Sequence, residues 1–427
     1  MGASEVDVVV VGGGVAGMVS AAFAAESGAS VLLVEAASEF GGRARTRIVS
    51  GYHFNQGAHA LYRDGFLDKA LQNLGITAAG RPPALADGVF VYENALHPAP
   101  FRAAGLAATT LLSDVEKAEL ASLLRSLRDG SPDVPSGISL SAALAALSPS
   151  PMVRSMLAAL VRLTSIVHAP EVADGRTLLD QLHGGLTRGA RYLDGGWGTM
   201  IDSLCAACAQ RGVDLRSSCR VESIERDTRW RVELADGTGL TARAVVLAVN
   251  PAQVATLCPA FDAVGAAAAA AVPAKVACLD LGLAHLPRPD VLFALAVDRP
   301  LYFSVHSNAA RLAPDGAALI HTMRYLEPGE TFSRDQLVAE LEGFVDLAQP
   351  GWREHERARQ FLPAMPVISS IPLAAKGGAS GRPSFVVPDV DGLFISGDWV
   401  GPLGLLSDTA AASGRSAGEA AAAFARA

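Results

Sequence analysis

The sequence predicts an α/β protein in which a Rossmann-like nucleotide-binding domain is interleaved with an α+β domain of mixed sheet and helices. Three observations carry that expectation. Residues 6–35 read as strand, glycine turn, Ala-rich helix and strand, with Val- and Leu-rich runs on both sides of the helix. Runs of that kind belong to parallel strands buried on both faces. From about 76 to 190 the pattern is mostly helical, and strand signals return between 213 and 249 and again at 393–396. Segments of one kind alternate with segments of the other, so both domains are expected to be discontinuous.

In order, Val6–Val11 forms the first strand, a helix runs from about Val15 to Ser27, Gly28 stops it, and Val31–Glu35 is the second strand. Ser113 and Glu116 form a capping box, followed by an apolar stripe of Leu120, Leu123, Leu124 and Leu127. Pro149 and Pro151 break one helix before Met152–Val167. Gly195–Gly198 opens a helix that ends at Gly212. Short strands follow at Val213–Leu215, Val221–Glu225, Trp230–Leu234 and Ala244–Val249, with an Asp236-Gly237 turn before the last. Leu301–His306 and Ala318–Tyr325 read as strands around Pro314-Asp315-Gly316, and a final helix starts near Ser407.

The composition narrows the function classes. At roughly 150 residues per domain, 427 residues allow two or three domains. With 35 basic and 43 acidic residues the chain carries a formal charge of −8, which argues against nucleic acid as the main partner. Half of the residues are hydrophobic, so a disordered chain is excluded. Five cysteines are an odd number and too sparse for a disulfide framework, which favours a reducing compartment. The uncharged run Val8–Ala25 is broken by three glycines and preceded by acids, so it reads as neither signal peptide nor membrane span. These features predict a cytoplasmic protein. Cys205 and Cys208 fall in mid-helix, away from the helix start that would stabilise a thiolate, and are expected to be packing residues. No Cys/His cluster completes a zinc site, so no metal is expected.

Gly12-Gly13-Gly14-Val15-Ala16-Gly17 is a G-x-G-x-x-G directly after a strand and opening a helix. Gly12 allows the tight turn, Gly14 lets the backbone approach a pyrophosphate, and Gly17 lets helix pack on strand. Around Ala16 the helix N-terminus offers free N–H groups and partial positive charge to the anion. Glu35, followed by Ala36 at the end of the second strand, is placed to accept from a ribose diol. Strand, helix, second strand and acid together predict a bound dinucleotide.

Further segments carry a family likeness. Glu35–Arg47 places Gly41-Gly42-Arg43 just past the acid, and Phe54–Leu61 reads FNQGAHAL. Arg220–Glu225 reads RVESIE, and Gly392–Ala421 reads GLFISGDWVGPLGLLSDTAAASGRSAGEAA. In this order they resemble the FAD-containing amine oxidase and phytoene desaturase superfamily. The resemblance implies noncovalent FAD, since the terminal segment lacks the cysteine of the family's cysteinyl-flavin link. It implies contacts from Gly42 and Arg43, from Gly57, Ala58 and His59 beside the isoalloxazine, and from Val221 on the adenine side. In the terminal segment it implies Gly397, Asp398, Leu405, Leu406 and Thr409. Asp398 would accept from ribityl hydroxyls, and the following helix would aim its N–H groups at the flavin N1/C2 carbonyl region. Ala410, Ala411, Gly414 and Gly418 would let that helix approach its neighbours.

The fold class thus becomes a Rossmann-like FAD-binding domain (1–75, 190–260 and 385–427) interleaved with an α+β substrate-binding domain (76–189 and 261–384). Lys275, in the apolar run Pro273–Leu283, resembles the amine oxidase lysine that holds a water near flavin N5 and assists reoxidation. A lysine merely solvated at a strand edge is the alternative reading. His59 is the second candidate for chemistry, as base or positioning group, with a satisfied core histidine as the alternative. Typical amine oxidases carry substrate-facing aromatics where this chain has Gly404-Leu405-Leu406-Ser407, which favours a bulkier or less polar substrate. Trp399 and Tyr302 are candidates for aromatic walls.

The expectation is an FAD-dependent oxidoreductase taking a hydride equivalent from an amine C–N or an activated C–C bond of a small or medium-sized molecule, with O2 or another acceptor reoxidising the flavin. The alternative is an FAD-dependent desaturase or isomerase of an apolar terpenoid or lipid. The sequence leaves the oligomeric state open.

Overall fold

The computed structural model describes residues 4–83, 85, 88–130, 133–259 and 262–427. Strand β1 (Ser4–Val11), helix α1 (Val15–Glu26) and strand β2 (Val31–Val34) form the expected β-α-β unit. Asp214–Arg216, β2, β1 and Gly239–Leu247 lie side by side in parallel. The free edge of Gly239–Leu247 takes two partners in turn. Residues 239–242 pair antiparallel with Trp230–Leu234, and residues 245–247 pair parallel with Leu393–Ile395. The strand therefore starts earlier than Ala244, because the Asp236-Gly237 turn feeds directly into a hairpin with Trp230–Leu234.

The centre of this sheet is buried on both faces, which is why residues 8–11 of β1 and all of β2 show no apolar–polar alternation, whereas Trp230–Leu234 nearer its edge alternates. Val8, Val10 and Leu33 pack on one side with α1, while Val9, Val11 and Leu32 pack on the other with Trp230 and Trp399. The last helix, Ser407–Arg426, lies against α1. A Cβ on Gly414 would sit 2.6 Å from the Ala16 carbonyl oxygen, and one on Gly418 would sit 2.2 Å from that of Ser20. Two backbones in such contact leave no space for a side chain between them.

A second seven-stranded sheet runs in the order Glu356–Ile368, Ala274–Leu283, Ala318–Leu326, Leu301–Val305, Phe293–Ala296, Val89–Tyr92 and Ala95–Pro98. Its pairs are antiparallel except that Phe293–Ala296 runs parallel to Val89–Tyr92. One face packs Leu279, Leu281 and Ile320 on helix Arg334–Ala348. The other carries Val276, Met323 and Tyr325 against helices between 114 and 187. Ser113 and Glu116 cap Asp114–Asp129 reciprocally, and Leu120 and Leu127 are buried beneath it. Among the described residues, no helix is long and apolar enough to cross a membrane.

Candidate active site

A cavity of about 1670 Å3 is lined by residues of both sheets and of the helices. At one end lies the glycine turn. Gly12 has φ +106°, and a Cβ there would sit 2.6 Å from the Ala248 carbonyl oxygen, so glycine is required for the turn. Gly14 faces open space: a Cβ built on it meets nothing within 4 Å, and the residue lines the cavity. No side chain caps α1, so the helix presents free N–H groups there. Glu35 is held by its own backbone surroundings, accepting from Gly13 N–H (2.6 Å) and Ala37 N–H (2.7 Å). A carboxylate oxygen has two acceptor positions, so both remain able to take a hydroxyl. Ala16, Ala36, Gly42 and Val221 line the same part.

Gly17, Gly57, Leu405 and Thr409 are not lining residues, and each has another task. A Cβ on Gly17 would collide with the Gly12 carbonyl oxygen at 1.9 Å, so its absence closes the turn onto the helix. Gly57 packs on Met365, and its carbonyl meets His59 Nδ1 at 2.9 Å. Leu405 is buried in the core beneath the helices. Thr409 Oγ1 accepts from Arg382 Nη1 (3.2 Å). That guanidinium also donates to the carbonyls of Gly404 (3.0 Å) and Gly401 (3.4 Å), and burial pushes its pKa down to about 10. It fixes the loop that ends at Leu406, a cavity residue with φ +57° and ψ −131°. Nothing in the local sequence around Arg382 signals that role.

Midway along the cavity Asp398 is buried at 3% exposure. Its Oδ2 takes Arg43 Nη1 at 2.8 Å and the Ser369 N–H at 3.0 Å. Its Oδ1 is buried with no partner. An acceptor left so costs about 1–3 kcal/mol, and a ligand hydroxyl would relieve it. The glycine cradle, the acid at the end of β2 and this orphaned oxygen are a donor and acceptor set that a flavin nucleotide would fit.

At the far end the lining changes character. His59 stacks near Trp197 with ring centroids 4.7 Å apart, and burial pushes its pKa down to about 4, so the ring is neutral. Tyr192 and Tyr302 share a hydroxyl–hydroxyl hydrogen bond of 2.8 Å, and the Tyr302 hydroxyl lies 3.4 Å from His306 Nε2. Burial pushes both phenols up and His306 well below its usual value, so all three are uncharged. Beside them His321 is hydrogen-bonded through Nδ1 to Asp280 on the neighbouring strand. Lys275 also lines the cavity and is exposed to it.

Of the two aromatic walls expected at this end, one stands there and one does not. Tyr302 is a wall, but Trp399 lies behind the first sheet, buried, with its Nε1–H donated to the Val249 carbonyl (3.2 Å). Its place is set by the apolar layer under Leu393–Ile395. Tyr192, His306, His321 and Asp280 went unnoticed in the sequence. The available signal was a lone acid and a lone histidine, each inside an apolar strand, where a polar group is costly unless partnered. Cys208 is buried and its thiol is pushed up to about 12, consistent with packing.

Fold and cavity together define a flavin-binding oxidoreductase. The family model described as flavin containing amine oxidoreductase matches residues 15–276, more than half of the chain, and the chain belongs to that family. No curated protein matches the sequence. Among solved structures, an oxidoreductase from Methanosarcina mazei is similar over 96% of this chain and 99% of its own, with 19% identity and TM-score 0.74. Putrescine oxidase bound to putrescine is similar over 98% and 99%, with 15% identity and TM-score 0.73. Cyclohexylamine oxidase from Brevibacterium oxydans IH-35A is similar over 99% of both chains, with 16% identity and TM-score 0.69. At such identities the likeness is one of fold.

Proposed function

We propose that this flavin-dependent oxidoreductase binds FAD noncovalently and removes a hydride equivalent from an uncharged organic substrate, an amine C–N or an activated C–C bond, giving an imine or a new double bond. The observation that carries the reading is the continuity of one cavity from the glycine turn to the histidine–tyrosine end. The nucleotide would lie along Gly12, Gly14, Ala16, Glu35, Ala36 and Val221. Gly42, Arg43, Gly397, Asp398 and Leu406 would hold the middle, with Ala58 and His59 beside the ring. Gly17, Gly57, Leu405 and Thr409 would act from behind that wall. Noncovalent binding is supported by the lack of cysteine in 385–427.

In this reading 1–75, 190–260 and 385–427 form the flavin-binding part, and 76–189 and 261–384 the substrate-binding part. The strand membership of the two large sheets supports that division. The only acids among the described lining residues are Glu35, Glu222 and Asp398, none of them at the histidine–tyrosine end. A dicationic substrate such as putrescine would find no counter-charge at the far end. Uncharged rings and Leu85, Phe101, Leu163, Ile166 and Met323 suit an apolar body with one polar group. The same surface supports a second reading, an apolar terpenoid or lipid as substrate of a desaturase or isomerase. Lys275 supports O2 as acceptor, and the few, odd-numbered cysteines support a reducing, cytoplasmic location.

The test is direct. Purified protein should carry FAD that acid precipitation releases, and anaerobic cyclohexylamine or benzylamine should bleach it while putrescine does not. Reoxidation in air within seconds supports an oxidase; slow reoxidation relieved by a quinone supports the second reading. A colourless protein that takes up no FAD removes both.

A further inference from the structure

Asp280 and His321 stand directly opposite each other on antiparallel strands, Ala274–Leu283 and Ala318–Leu326. Both are buried, and the imidazole meets the carboxylate through Nδ1. The other carboxylate oxygen, Oδ2, accepts from Gln360 Nε2 at 2.9 Å. Gln360 Nε2 donates also to the Asn55 carbonyl oxygen (2.7 Å), so both of its protons are committed and the amide cannot turn over. Asn55 is fixed in turn, its Oδ1 accepting from Trp197 N–H (2.9 Å) and Thr46 Oγ1 (2.8 Å). Asp280 Oδ2 is thus an acceptor, and the carboxylate serves His321 as an acceptor at Oδ1 when the ring carries its proton on Nδ1. An imidazole that donates from Nδ1 carries a lone pair on Nε2. That Nε2 is buried with no partner, while the ring lines the substrate end of the cavity.

Taking the oxidoreductase reading above as its basis, we propose that His321 Nε2 is the proton acceptor of the reaction and that Asp280 is its positioning residue. Loss of two electrons from an amine H–C–N–H removes a hydride and a proton. The hydride leaves carbon with the C–H electron pair, and the flavin that the oxidoreductase reading supplies would take both electrons. The lone pair of the neutral amine nitrogen becomes the second C–N bond; the N–H pair stays on nitrogen as the imine lone pair, and its proton passes to the Nε2 lone pair. The resulting imidazolium is stabilised by Asp280 at its other nitrogen, the arrangement that orients histidine bases in general. An amine reaching this end must be neutral, because the wall offers it no carboxylate, and a base of this kind suits that state.

The groups around His321 do not compete for this role. Tyr302 lies on the adjacent strand with ring centroids 6.0 Å apart, and His306 lies 4.9 Å away. His59 and Tyr192 lie close by, Lys275 lines the same cavity, and Cys278, two residues from Asp280 on its strand, is a buried thiol whose pKa burial raises well above its usual value. Burial holds both histidines neutral and lowers their basicity, and holds both phenols protonated. Arg43, a cation that bears on His59, is committed to Asp398.

The holoenzymes of wild type, His321→Gln, Asp280→Asn and Asp280→Glu are compared by anaerobic bleaching with cyclohexylamine and with benzylamine at one pH. His321→Gln should keep its flavin content and visible spectrum and lose about 100-fold or more in the bleaching rate. Asp280→Asn should fall by an intermediate factor, with Asp280→Glu restoring most of the rate. His321→Gln within threefold of wild type overturns the proposal. A second measurement needs no substrate: in 15N-histidine holoenzyme the signals lost in His321→Gln should be those of an Nδ1–H imidazole. An Nε2–H ring there overturns the proposal as well. A wild-type flavin that neither amine bleaches overturns the amine reading alone and leaves the tautomer to decide His321.

Discussion

Arg43 and Asp398, 355 positions apart in the sequence, meet as an ion pair of 2.8 Å. The contact ties the turn after β2 to the end of Leu393–Ile395, and it directs Asp398 Oδ1 to a place where no protein group meets it. Asp398→Ala should therefore weaken FAD binding by about ten- to a hundred-fold, the range of a hydrogen bond to a charged group. Titration of flavin into apoprotein measures the loss. Affinity equal to wild type would mean that Asp398 serves only the fold.

Gly14 and Gly17 separate cofactor binding from folding. A side chain at Gly14 meets no protein atom, so Gly14→Val should leave the thermal midpoint of the apoprotein within a few degrees of wild type yet abolish stoichiometric FAD binding. Gly17→Val forces a Cβ to 1.9 Å from a carbonyl oxygen and should lower the midpoint itself by about 10 °C or more. Calorimetry of both apoproteins, with flavin titration, tests the pair.

Lys275 is exposed to the cavity, so its effect should lie in the oxidative half-reaction. Lys275→Met should leave FAD bound and reduction by substrate close to wild type. Reoxidation by O2 should slow about tenfold, equivalent to about 1.4 kcal/mol, because a nearby cation stabilises the negative charge that oxygen acquires. Stopped-flow on each half-reaction measures both. An unchanged oxidative rate would make Lys275 an ordinary strand residue.

Asp408 supplies a pH dependence. It sits in the first turn of the last helix, accepts from Leu67 N–H (2.9 Å), and burial raises its pKa to about 6. Its folded value lies above the unfolded 3.8, so the folded state holds more protons between them and stability falls as pH rises through 6. Asp408→Asn lacks this loss. The stability gap between variant and wild type should widen in the variant's favour by about 1.5 kcal/mol from pH 5 to pH 8. Urea midpoints at the two pH values check it, and the double difference cancels any pH-independent cost of the amide.

The parts of the fold carried by local pattern were legible: the β-α-β unit, the capped helix at Ser113 and the final helix all follow from residues within a few turns of each other. The site divided along the same line. Gly12, Glu35 and Asp398 announce themselves through neighbouring residues. Asp280 and His321 do not, because each is a single polar residue in an apolar strand and only the register of two strands 41 positions apart sets them face to face. Trp399 reads as an aromatic wall by residue type alone, but its ring packs into the apolar layer with Leu393 and Ile395, away from the cavity lining.

The glycine-mediated contact between α1 and the last helix bears on how the protein is made. On the ribosome, β1 and its glycine turn appear first, while Leu393–Ile395 and the helix that seals α1 appear roughly 390 residues later. At about 5–20 residues per second that interval lasts some 20–80 seconds. Throughout it one flank of α1 remains open, and from its own synthesis onward the edge of Gly239–Leu247 that takes Leu393–Ile395 waits as well, whereas every strand of the second sheet is synthesised before Leu393. The nascent chain therefore completes its later-beginning half first, and its earliest residues wait longest for their partners.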